Sequence, residues 1–222
     1  MMEELIRNIR TDLRLAMNGV VSSSMREKGM DYKMNFGVDV PRLKNIALKY
    51  KENAALAQTI WKLDVREMKM LATMIYPINE FSESKADEWA AELQHQEIRE
   101  HLCRNLLQKL SYSDVLVQKW TSNNNPSIRL TGFWLYVRLM LINADLLQNI
   151  NISPIIEQAL KDVKSEDSLL SRAALNVLKH LVRRDEKSTT GIMEKVAEFA
   201  NSDNPKYKEI FDDLTFELEH KS

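Results

Sequence analysis

The chain has 222 residues, 44% hydrophobic and 28% charged, with a formal net charge of −1, a composition that fits a globular protein with a substantial buried core. The near-neutral balance excludes a uniformly basic nucleic-acid footprint, so any such surface must come from the local distribution of charge. No run of about eighteen apolar residues occurs, and the N-terminal MMEELIRNIRTDLRLAM alternates charged with apolar residues where a secretory leader would be continuously apolar. A cytoplasmic protein without membrane contact is the expectation.

Five glycines and five prolines are too few for a many-turned β fold, while apolar residues recur at three- and four-residue spacing along the whole chain. An all-helical architecture of about a dozen helices follows. At residues 34–47, MNFGVDVPRLKNIA, Gly37 lets the chain turn and Pro41 fits the first turn of a helix, where an N–H is dispensable. Ile46, Leu48 and Tyr50 close that helix, and Leu56, Ile60 and Leu63 mark the next. In DVREMKMLATMIYP, Asp64 reads as an N-cap with Glu67 three residues on, a capping-box spacing. Met68, Leu71 and Ile75 face inward, and Pro77 stops the helix. Further helices are predicted at 84–93, 96–110, 112–121, 126–141, 154–163, 167–182, 189–200 and 205–218. Trp61, Trp89, Trp120 and Trp134 each sit among apolar residues and read as packing residues. The single cysteine, Cys103, rules out an internal disulfide and reads as a small apolar helix residue.

Three long helices open after polar breaks at Pro126, Asp167 and Pro205, 41 and 38 residues apart. That is about the period of antiparallel helix pairs stacked as a HEAT-like solenoid. Self-identity between the units is poor, so an irregular helical bundle is the alternative. The charge is uneven along the chain. Residues 25–75 carry ten Lys or Arg against six Asp or Glu, residues 76–101 two against seven, and residues 102–140 five against one. Two basic flanks thus surround an acidic centre. No GxGxxG, P-loop, GxSxG, HExxH or cysteine pair occurs, so neither a familiar cofactor nor a metal is expected. His95 and His101, the closest histidine pair, fall on different parts of a helix.

MNFGVDVPRLKNIALKY, followed by AQTIWKLDVREMKMLATMIY, resembles the AlkD-like family of DNA alkylation-repair proteins, whose N-terminal signature is an FGV-x-VP turn and helix. FSESKADEWAAEL, HQEIREHLCRNLL and QKWTSNNNPSIRLTGFWLYV resemble the next three family blocks in order, so the likeness spans about 25–140 and, more weakly, extends to 182. It implies one HEAT-like repeat domain over 1–222, a superhelix whose basic concave surface holds double-stranded DNA through backbone contacts. Active members excise N3- or N7-alkylated purines without a cofactor. A carboxylate stabilises the oxocarbenium character of the deoxyribose, indole faces contact the lesion or sugar, and arginine binds phosphate.

Carried over by residue, Glu100 stands at the position of the catalytic Asp and Gln96 at that of an indole. Pro126-Ser127-Ile128-Arg129-Leu130 matches a W-x-R-R block, so Arg129 is the phosphate candidate, and a second family tryptophan falls near Val177. Arg42 and Lys44, in the first turns of the signature helix, and Lys33 before it are candidate backbone contacts. With Asp lengthened to Glu and the indoles missing, the resemblance implies DNA binding with weak or no base excision. A protein-interaction solenoid that has lost DNA is the alternative, favoured by the near-neutral charge.

Overall fold

The structure, a computed structural model, describes residues 1–50, 52–184 and 186–220; Lys51, counted above in the first basic segment, lies outside them. Thirteen α-helices and no strand occur among the described residues, and the chain divides into two compact units, Met1–Leu110 and Ser111–Ser222.

The first unit contains α1 (Met2–Leu15), α2 (Gly19–Glu27), α3 (Val40–Ala47), α4 (Ala54–Trp61), α5 (Arg66–Ile75), α6 (Glu83–Ala91) and α7 (Gln96–Asn105). Helix α5 is its centre and packs against α3, α4 and α7, while α1 packs against α3 and α4. The reason is in its sequence: Met68, Leu71 and Ile75 fall on one face and are buried as expected, and Met70 and Ala72 bury the flanks as well. Trp61 of α4 stacks on Trp89 of α6 with ring centroids 4.0 Å apart, and its indole N–H donates to Glu92 at 2.6 Å. Those two indoles are packing residues, as is the equally buried Trp120. Cys103 is buried in α7.

Several boundaries differ from the sequence reading: the helix expected over 96–110 ends at Asn105 and the one expected over 189–200 runs Glu186–Val196. Helix α5 starts at Arg66 after an extended Val65, with no side-chain cap. Asp64 instead accepts from the Lys33 N–H at 3.3 Å, and Glu67 turns away to a distant loop. Helix α3 ends at Ala47, so Leu48, apolar and in register, is 80% exposed.

The second unit contains α8 (Ser113–Thr121), α9 (Pro126–Leu141), α10 (Ile152–Asp162), α11 (Ser168–Arg184), α12 (Glu186–Val196) and α13 (Pro205–Glu219). It is built in two layers. Helices α9, α11 and α13 pack side by side in one, and α8, α10 and α12 in the other, with the pairs α8/α9, α10/α11 and α12/α13 joining them. The starts of α9, α11 and α13 are 42 and 37 residues apart, close to the predicted period. Each start is fixed by a short polar side chain accepting from the first-turn N–H groups: Asn125 from Ser127, Asp167 from Leu169 and Leu170, and Asn204 from Lys206. Gly132 lets α8 and α9 approach closely, since a Cβ there would lie 2.8 Å from the Thr121 nitrogen.

Candidate nucleic-acid interface

The loop before α3 is held by a buried charge cluster at the start of α5. Glu67, fully buried, accepts from the backbone N–H of Phe36 at 3.0 Å and of Val38 at 3.2 Å. The Arg66 guanidinium, 3% exposed, donates to Glu67 at 2.8 Å, to the Val38 carbonyl at 3.1 Å, and through Nε and Nη2 to both oxygens of Glu97 on α7, at 2.7 and 2.5 Å. Burial works against the Glu97 charge, yet the hydrogen bonds and charge of Arg66 outweigh it and hold this carboxyl below the usual range. Gly37 sits at φ +67, and a Cβ there would lie 2.3 Å from the Asn18 carbonyl oxygen. The sequence signature is therefore a structural latch: a left-handed turn with two buried amides that need a carboxylate, and a carboxylate that needs an arginine.

That latch orients α3. Asp39 caps it by accepting from the Arg42 N–H at 2.9 Å, and its carboxylate lies 3.6 Å from Arg42 Nε, with both side chains more than half exposed. So open a pair holds Arg42 weakly. Lys33 and Lys44 are exposed too, and neither side chain has a hydrogen-bond or ion-pair partner among the described residues.

On α7, Glu100 is half-buried and accepts from Gln96 Nε2 at 3.1 Å, one turn earlier. The other end of the same amide accepts from Arg99 Nη1 at 2.8 Å. One turn beyond Glu100 stands Arg104, exposed at the C-terminal end of α7. Between them His101 is buried, and its basicity falls to about 4: burial is the first cause, and the charges of Arg104, Arg66 and Lys44 add to it. Lys44 and Arg104 thus act on one neighbourhood, next to the Glu100 turn. The sequence reading did not single out Arg104, although its four-residue spacing from Glu100 would have placed both on one helix face.

Arg129 belongs to the second unit and is committed there. Its Nε and Nη2 donate to the two oxygens of Asp162 at 2.7 and 2.8 Å, and Nη1 donates to the carbonyls of Asn123 and Asn124 at 2.9 and 3.1 Å. The side chain is 13% exposed and Asp162 is 7% exposed. The guanidinium joins α9 to α10 and ties down the polar break before Pro126. Val177 is buried in α11.

Residues 9–207 match the family described as DNA alkylation repair enzyme. The chain belongs to that family. Its fold is similar to a solved structure described as belonging to a new family of proteins related to the HEAT-like repeat DNA glycosylases with affinity for branched DNA structures. The TM-score is 0.74 and the identity 17%, over 95% of this chain and 94% of that one. The fold is accordingly an all-α, HEAT-like helical repeat. A designed armadillo repeat protein aligns with 95% of this chain and 98% of its own, at a TM-score of 0.47 and 10% identity. No curated protein matches the sequence. Among the described residues no group of three or more His, Cys, Asp or Glu is placed to hold a metal, and no helix is long and apolar enough to cross a membrane.

Proposed function

We propose that this family member binds double-stranded DNA, branched or distorted duplexes included, through backbone contacts, and excises alkylated bases weakly or not at all. The observation that carries the second half is the Gln96–Glu100 hydrogen bond. An alkylated purine is already a good leaving group, so what its excision needs is a carboxylate free to face the developing positive charge on the sugar, and a π surface beside it. Here the carboxylate is longer than Asp by a methylene and is bonded to the residue standing where the indole would be. A displacement of about 1 Å in such a group costs on the order of 10²-fold in rate.

The exposed cations Lys33, Arg42 and Lys44 of the first unit support the DNA half, and Arg104 extends them towards Glu100. Arg129 acts as a positioning residue that holds the α9–α10 junction. The family match runs through both units, which supports reading 1–222 as one functional domain. Purified protein is to be incubated with a duplex carrying N3- and N7-methylated purines and with a matched four-way junction. The expected result is binding that weakens steeply with salt and no free methylated base above the spontaneous rate. Release of base in many turnovers overturns the catalytic half; loss of all DNA binding at low salt overturns the other and leaves the protein-interaction reading.

A further inference from the structure

In the second unit, α10 and α12 leave an open groove between them. Two adjoining hollows of about 370 and 300 Å³ lie along these helices and share Glu157 and Lys195 in their walls. Its floor is aliphatic: Ile152, Ile156 and Leu160 of α10 are only half-buried, and Ile192 of α12 lies beneath them, fully buried. Its rim is basic. Lys161, Lys164, Lys187 and Lys195 line it together with the carboxylate Glu157; Lys164 pairs with Glu198 at 3.4 Å and lies 4.8 Å from the Phe199 ring, and the other three have no ion-pair partner among the described residues.

A second observation points the same way. Gly191 lies in the middle of α12 and lines the groove. Its backbone is ordinary, and a Cβ there would meet nothing within 4 Å. Glycine inside a helix costs about 1 kcal/mol relative to alanine, and no contact among the described residues explains that cost. What the missing side chain provides is room on the groove side, where another backbone or side chain can come close.

From this we infer that the α10–α12 groove docks an acidic amphipathic helix of a partner protein. The floor takes aliphatic side chains at helical spacing, and the rim lysines Lys161, Lys187 and Lys195 take carboxylates on either side. The reach from Ile152 to Lys164 corresponds to about 18 Å, or three to four turns of helix. A nucleic acid fits less well, because the floor has no exposed ring on which a base could stack; Phe199 is 2% exposed. This inference stands on the second unit alone and does not depend on the DNA reading.

The test uses the full chain and a fluorescein-labelled amphipathic peptide of about fourteen residues, with leucine on one face and glutamate on the other, followed by polarisation. Saturable binding is expected. Gly191→Phe, which fills the groove and removes a helix-weakening glycine, and Lys161→Glu/Lys195→Glu, which reverses the rim, should each weaken it about tenfold or more. Both variants are to be checked for unchanged thermal unfolding. Absence of saturable binding, equal binding of a peptide with lysine in place of glutamate, or binding indifferent to Gly191→Phe overturns the inference. A single-stranded oligonucleotide that binds more tightly than the peptide and loses affinity in the same variants overturns it in favour of nucleic acid.

Discussion

The two units use a carboxylate-paired arginine in different ways. In the first, Arg66 and Glu67 hold a loop by its backbone, and Glu97 completes the cluster from α7. In the second, Arg129 and Asp162 hold two helices together, with the guanidinium also bonding the carbonyls of the break that precedes α9. The first arrangement consumes the hidden charges and leaves Lys33, Arg42, Lys44 and Arg104 outside, facing water. The second consumes the very arginine that the sequence offered as a phosphate contact. A basic residue can bind DNA only with donors it has not already given to its own chain, and by that measure the available cations around the candidate site lie in the first unit.

The largest expected effect tests the latch. Glu67→Ala strips two buried amides and Arg66 of their acceptor and should lower unfolding free energy by about 3–5 kcal/mol in denaturant titrations. Gly37→Ala, which forces a Cβ against the Asn18 carbonyl at positive φ, should cost about 2 kcal/mol or more. If either variant unfolds like the wild type, the latch is not what holds the signature loop.

Next comes the α9–α10 bridge. Arg129→Met leaves Asp162 buried without its partner and should destabilise by about 3 kcal/mol. Arg129→Met/Asp162→Leu, with both charges gone, should recover most of the loss. DNA affinity, measured on folded protein, should change less than twofold in the double variant. A tenfold drop there would return Arg129 to the role of a phosphate contact.

A smaller effect concerns acid. His101 is held neutral in the fold down to about 4, against an ordinary value of 6.5. The unfolded chain therefore binds a proton that the folded one refuses between those values, and stability falls as pH drops from about 6.5 towards 4. Glu97, depressed by Arg66, acts in the same direction at the acid end of that range. Thermal melts across this window should show a steeper decline for the wild type than for His101→Gln; parallel declines would contradict the assignment.

Much of the fold is legible in the sequence because it is written locally. Asn125, Asp167 and Asn204 announce the starts of α9, α11 and α13 by side chains that reach only two or three residues. The site is less legible because its partners are remote. Glu67 has the spacing of a capping-box acid, yet its carboxylate serves amides about thirty residues upstream. Arg66 has no distinguishing local pattern and Arg129 reads as a phosphate contact, and nothing within a turn of either reveals Glu97 or Asp162. Leu48 errs the opposite way, apolar and in register but beyond the end of its helix. Family resemblance offers Glu100 and Gln96 as candidates, whereas the bond between them appears only with the side chains in place.

The most direct test of the central account is the salt dependence of DNA binding by the wild type and by Lys44→Ala/Arg104→Ala, on a four-way junction and a linear duplex. Neither residue is buried, so folding should change by no more than about 0.5 kcal/mol. Binding to both DNAs should weaken, with a log–log salt slope reduced by roughly one for each phosphate contact removed. An unchanged affinity and slope, in a protein that still binds DNA, would contradict it.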